Sequence, residues 1–229
     1  MNPDPVILRH VAVHFDLMAL RERLRVREGR DAEELEALVR EATAIARPKA
    51  MYRLVFIDER GEDYIVVDGV RLTSRVLSVN VGEAQRVFAH MATCGTELDA
   101  WAHGLTDMIH QFWAEAIKEA ALRSAARAAS ADLEARYRPG KLATMAPGSL
   151  MDWPITQQRP LFQILGDPEA AIGVRLTPSC LMVPNKSISG LRFPTETSFE
   201  SCQLCPRAIC ENRRAPYDAE LYERRYKAE

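Results

Sequence analysis

Apolar residues recur at strand spacing in one set of segments and at helix spacing in another. Residues 6–13 are mostly apolar and rich in β-branched side chains, which suits a first strand. Asp16 stands where it would cap a short helix over residues 17–26. From Asp31 onward, Leu35, Leu38, Val39, Ala42 and Ile45 fall on one helical face. Glu33, Glu34 and Glu36 sit near the positive end of that helix, and Pro48 stops it. Residues 52–58 and 64–68 read as strands joined through Glu59-Arg60-Gly61-Glu62. Asp68-Gly69 turns the chain into a returning strand over residues 70–73, and residues 86–93 read as a buried strand.

The longest helical segment covers residues 107–136. Leu105, Ile109, Phe112, Trp113, Ala116, Ile117 and Ala120 trace its apolar stripe, and residues 114–131 are half alanine, the best helix former. Arg123 follows Ala120 by three, so it is expected on or beside that stripe. Its stem would snorkel, or its guanidinium would face a pocket or a carboxylate. A turn-rich loop comes next, Ala146-Pro147-Gly148-Ser149 and then Asp152-Trp153-Pro154. Proline fixes φ and glycine admits positive φ there, so the backbone can fold tightly and present its N–H and C=O groups to a ligand. Thr156 is placed to cap a short helix over residues 157–165. Runs at 173–177 and 187–193 suit two sheet strands with an irregular connection through Pro178 and Pro184. In the second run Ser187 and Ser189 alternate with Ile188, which a polar-out, apolar-in pattern suffices to explain, a pocket role being the lesser alternative. A polar linker over 195–201, a Cys cluster and a charged helix over 216–226 finish the chain. The expected class is α+β. A curved mixed or antiparallel sheet packs against a long alanine-rich helix within residues 1–195, and a C-terminal Cys-rich module occupies residues 196–229.

Composition narrows the function classes. The chain has 229 residues, enough for one large domain or a domain with an appendage. A net charge of −2 argues against nucleic acid as the partner. No apolar run reaches membrane-span length, and Met1-Asn2-Pro3-Asp4 opens no signal peptide. Five Cys is an odd count, which points away from a disulfide framework and toward a reducing, cytoplasmic setting. Cys202, Cys205 and Cys210 have the spacing at which thiolates share zinc or an Fe–S cluster such as 4Fe-4S. Cys94, Cys180 or an outside group is left to supply a fourth ligand. His10, His14, His90, His103 and His110 have no ligand spacing and read as surface or packing residues, and no Ser–His–Asp triad can be assembled.

Leu176-Thr177, Ser179, Met182, Pro184, Ser187, Ser189-Gly190 and Phe193 resemble the Leu-Thr-x-Ser-x-x-Met-x-Pro-x-x-Ser-x-Ser-Gly signature of the activation domain of vitamin B12-dependent methionine synthase. Ala146-Pro147-Gly148 resembles that family's S-adenosylmethionine loop. Asp152-Trp153-Pro154-x2-Gln157 is similar to its short, free-standing members. The resemblance implies reductive activation of a corrinoid-dependent methyltransferase, with cob(II)alamin on the partner converted to cob(I)alamin. It also implies an electron from flavodoxin or ferredoxin and a methyl group from S-adenosylmethionine. Carried over residue by residue, it makes Ala146, Gly148, Ser149 and Arg138 the candidate cofactor-binding residues. The family's Tyr after the loop Gly is Ser149 here, its Arg before the loop is Thr144, and an acidic residue of the long helix falls near Arg123. Those departures keep two other readings open. One is a non-catalytic Fe–S or zinc protein that docks on a corrinoid protein. The other is an S-adenosylmethionine-dependent methyltransferase of different specificity.

Overall fold

A computed structural model describes residues 3–196 and 199–227. Strand β1 (Val6–Leu8) is followed by helices α1 (Leu17–Leu24) and α2 (Arg30–Ile45). Strands β2 (Lys49–Arg60), β3 (Tyr64–Val67) and β4 (Val70–Thr73) form a meander, and α3 (Arg75–Val81) leads to β5 (Arg86–Thr93). Helices α4 (Thr96–Gly104) and α5 (Met108–Tyr137) precede β6 (Leu142–Met145). The remainder is α6 (Gln158–Leu165), α7 (Pro168–Ile172), β7 (Arg175–Leu176), β8 (Met182–Val183), β9 (Ser187–Pro194) and α8 (Leu221–Arg225). The fold is α+β. Seven antiparallel strands run in the order β4-β3-β2-β5-β9-β6, with β1 beside β2.

Two apolar layers sandwich this sheet. On one face Tyr52, Leu54, Phe88 and Ala92 meet α2, α4 and α5. On the other, Met51, Val55, Met91, Leu191 and Phe193 meet α3, α6, Trp153, Phe199 and Tyr226. Asp107 caps α5 by accepting from the backbone N–H groups of Ile109 and His110. Ala114, Ile117, Ala121 and Ala125 turn inward, and the short alanine side chains let the helix lie close to the sheet. The stripe therefore differs from the expected one. Ile109 and Phe112 are 58% and 62% exposed, because the first turns of α5 face away from the apolar layer.

Other elements are also shorter or placed differently than expected. The first strand stops at Leu8 because its partner β2 begins at Lys49, one residue beyond the Leu8–Ala50 pair. The runs at 173–177 and 187–193 do not share a sheet. β7 forms a small separate hairpin with β8, while β9 lies between β5 and β6. The polarity of β9 is inverted, with Ser187 and Ser189 buried and Ile188 the exposed residue. Ser187 Oγ donates to Pro184 O at 2.8 Å and lies 2.9 Å from the Thr93 hydroxyl, and Ser189 Oγ donates to Gln158 Oε1 at 2.8 Å, so these hydroxyls have protein partners instead of solvent. The C-terminal helix is confined to α8, since the backbone before it is held by Asp218 N–H donating to Gln203 O.

Candidate functional site

The loop after β6 is closed by its own sequence. Ser149 donates to Ala146 O twice, from its backbone N–H at 3.1 Å and from Oγ at 2.6 Å. Gly148 has φ +84° and donates to Trp153 O at 2.7 Å. That positive φ is what favours glycine here, and a Cβ would also crowd the end of the Ile155 side chain, 2.8 Å from its Cδ1. Trp153 is fully buried and pins the loop to the core. The Asp152 carboxylate accepts from Ser74 Oγ and from Val76 N–H at 3.0 Å, at the start of α3. Gln157 Oε1 accepts Thr73 N–H at 2.9 Å. The Asp-Trp-Pro-x2-Gln run thus locks the loop against β4 and α3.

The C-terminal segment supplies the facing wall. Tyr226 is fully buried with its hydroxyl 3.1 Å from Asn80 Oδ1, and Arg75 Nε donates to its carbonyl. Between the two walls lies a cleft of about 1030 Å³. Gly148, Ser149, Met151 and Ile155 line one side, and Leu204, Cys205, Pro206, Tyr217 and Tyr222 the other. Met151 stands on the rim, 96% exposed. Asp152, Asp218 and Arg207 add charge to the lining. A hydrogen bond from Arg224 holds the Asp218 carboxyl below its usual range, and burial raises the Tyr226 hydroxyl.

Of the residues singled out from sequence, Gly148, Ser149 and Cys205 meet in this cleft. Ala146 closes the turn through its carbonyl. Arg138 is elsewhere, exposed at the end of α5 with φ +43°. Arg123 is also exposed, with 54% of its side chain accessible, and pairs with Glu119 at 2.6 Å instead of facing the core. The cation that enters the buried side of α5 is Lys118. Cys202, Cys205 and Cys210 are all free and half-buried. Among the described residues no group of three or more His, Cys, Asp or Glu side chains is arranged to hold a metal. The loop carrying these cysteines is folded round an arginine. Arg213 donates to the carbonyls of Cys202 at 3.1 Å, Cys205 at 3.3 Å, Ala215 at 3.3 Å and Arg207, while Cys202 Sγ accepts Arg214 N–H at 3.4 Å. Nothing in the spacing of the sequence marked Arg213 for this role. Tyr217 and Tyr222 were hidden in the same way, since the Gly148 loop whose cleft they line lies far back in the chain.

The residues at 176–193 have structural work within this frame. Thr177 and Ser179 share a hydrogen bond of 2.9 Å at the β7–β8 turn. A Cβ at Gly190 would lie 2.4 Å from Met145 O, so this glycine lets β6 approach β9. None of the helices among the described residues is long and apolar enough to cross a membrane.

No protein-family model matches the chain, and neither does any curated protein. Among solved structures, the fold is similar to the crystal structure of the MetH reactivation domain bound to AdoHcy. The TM-score is 0.59 at 17% identity, over 86% of this chain and 83% of that one, a likeness of fold along nearly the whole length of both.

Proposed function

We propose that this chain supports reductive reactivation of a corrinoid-dependent methyltransferase, with methionine synthase as the foremost partner. The observation that carries the reading is the reactivation-domain fold, matched over 86% of the chain. The neighbour's AdoHcy suggests an S-adenosyl ligand, and the cleft between the Gly148 loop and the C-terminal segment is its place. Tyr217 and Tyr222 would offer aromatic faces to the adenine ring and Asp152 negative charge to a sulfonium, the Asp218 carboxylate being matched by Arg224 at 2.7 Å. Arg123 lies outside the cleft and is matched by Glu119, and the cation that lines the cleft is Arg207. The corrinoid stays on the partner. The electron comes from a separate donor such as flavodoxin or ferredoxin, and the cysteine loop, folded round Arg213, serves as part of the cleft wall. Reduction to cob(I)alamin is uphill, and methylation of the product draws it forward by mass action.

The test mixes this chain with a cob(II)alamin-form methionine synthase that lacks its own reactivation domain, reduced flavodoxin and S-adenosylmethionine. Methylcobalamin, followed by its visible spectrum, should form only with all components present. Ser149→Trp, which fills the cleft from an exposed position, should stop it. Methylcobalamin formation at the same rate without the chain would sink the reading.

A further inference from the structure

Cys202 and Cys205 are free thiols held one turn apart. A short 3₁₀ helix, Ser201–Leu204, carries the first and ends at the second. Cys205 N–H donates to Cys202 O at 3.3 Å and closes the turn between them. Such a turn keeps its end Cα atoms within about 7 Å, and side chains three apart on a 3₁₀ helix stand one above the other. A disulfide needs Cα atoms about 4.4–6.8 Å apart with their side chains on the same side.

The turn is fixed from two directions. Glu200 and Gln203 cap it reciprocally, with Glu200 N–H donating to Gln203 Oε1 at 2.9 Å. The single guanidinium of Arg213 donates to the carbonyls of both cysteines, at 3.1 Å and 3.3 Å, and so sets their spacing. Cys202 Sγ accepts Arg214 N–H at 3.4 Å, which orients that sulfur. The pair is also within reach of a reactant, because Cys205 lines the cleft together with Leu204 and Pro206. Cys94 and Cys180 are buried, and burial pushes the Cys94 thiol up to about 12. Cys210 does not line the cleft, and its carbonyl accepts Arg213 N–H at 3.2 Å further along the loop.

We propose that Cys202 and Cys205 form a reversible dithiol–disulfide pair, a thiol–disulfide exchange site that meets a small disulfide of the glutathione class in the cleft. The Cys205 thiolate attacks one sulfur of that disulfide, forms a mixed disulfide and releases the first small thiolate. The Cys202 thiolate then attacks the Cys205 sulfur, closes the Cys202–Cys205 bond and releases the second. The two cysteine protons pass through solvent to the departing thiolates, so two cysteine thiols are oxidised and one small disulfide is reduced to two thiols. The pair lies in the cleft's C-terminal wall, and its chemistry is independent of the corrinoid reading.

The experiment equilibrates the full chain with mixtures of glutathione and glutathione disulfide, blocks the remaining thiols by alkylation, and reads each cysteine by peptide mass spectrometry without reductant. One Cys202–Cys205 disulfide is expected, reversed by excess glutathione. Cys202→Ser should stop at a glutathione adduct on Cys205, and Cys210→Ser should form the same bond as wild type. Because the fold presets the turn, the folded chain should hold the bond against at least about tenfold more glutathione than the urea-unfolded chain. Cys202 and Cys205 both recovered as thiols from pure glutathione disulfide overturns the proposal. A bond that uses Cys210, or one equally stable in the folded and unfolded chains, overturns it as well.

Discussion

His90 is the residue through which acidity reaches the core. It sits in β5 between Tyr52 and Gly190 of the neighbouring strands, 6% exposed, and its Nε2 has no partner among the described residues. Burial, aided by the charge of Arg192, lowers its pKa to about 3. The imidazole therefore stays neutral in the folded protein while the unfolded chain takes a proton near the ordinary histidine value of 6.5. Below that point the unfolded state binds more protons. Stability is thus full above pH 6.5 and falls as pH drops toward 3, by about 1.4 kcal/mol per pH unit from this group. Between pH 6.5 and 5, wild type should lose about 2 kcal/mol more than His90→Gln in urea unfolding. The window lies above the range in which the paired carboxylates titrate, so the difference between the two proteins isolates this histidine. Parallel pH profiles would show that His90 is solvated.

At the scale of elements, α4 is tied to α5 by an ion cluster. Lys118, 1% exposed, reaches Asp99 of α4 and Glu115 of its own helix, each at 2.7 Å. Glu115 extends the cluster to Lys186 at 3.2 Å and Asn185 at 3.0 Å, just before β9. Burial opposes the charge on Lys118, and the bonds to Asp99 and Glu115 outweigh it, leaving its pKa raised. Lys118→Ala would strand Asp99 in a dry site and should cost about 3–5 kcal/mol in chemical denaturation. Glu115→Gln acts at a position 39% exposed and should cost about 1 kcal/mol or less. Equal small losses would mean that water reaches the cluster. This device was not legible in the sequence, where Lys118 looks like any helix-surface lysine and Arg123 has the spacing of the apolar stripe. What was legible followed unbroken local patterns. Residues 86–93 read as a buried strand and became β5, and Asp107 marked the start of α5. Helices α3 and α4 carry too little pattern to be read, being seven and nine residues long, α3 capped by the Ser74 hydroxyl and α4 starting after Gly95 with no side-chain cap. The direction of Ser187 and Ser189 could not be read either, because the groups that draw them inward, Thr93 and Gln158, are 94 and 31 residues away.

Across the whole molecule, the local turn chemistry of the Gly148 loop was readable, but its facing wall was not. That wall depends on where the last thirty or so residues return, and only long-range packing decides this. Phe199 and Tyr226 enter the same core as Trp153 and Leu191, and their rings meet edge to face with centroids 6.3 Å apart. If this packing holds the cleft's second wall in place, Tyr226→Ala should cost about 3–5 kcal/mol, the range for emptying an aromatic site. Tyr226→Phe keeps the ring and loses only the bond to Asn80, so about 1 kcal/mol is expected. Urea unfolding gives both values, and limited proteolysis shows whether Tyr226→Ala frees the segment before the sheet melts. A loosely docked appendage would respond to neither substitution. A large loss with Tyr226→Ala and a small one with Tyr226→Phe would tie the cleft to the core, so that a ligand bound there stabilises the entire fold.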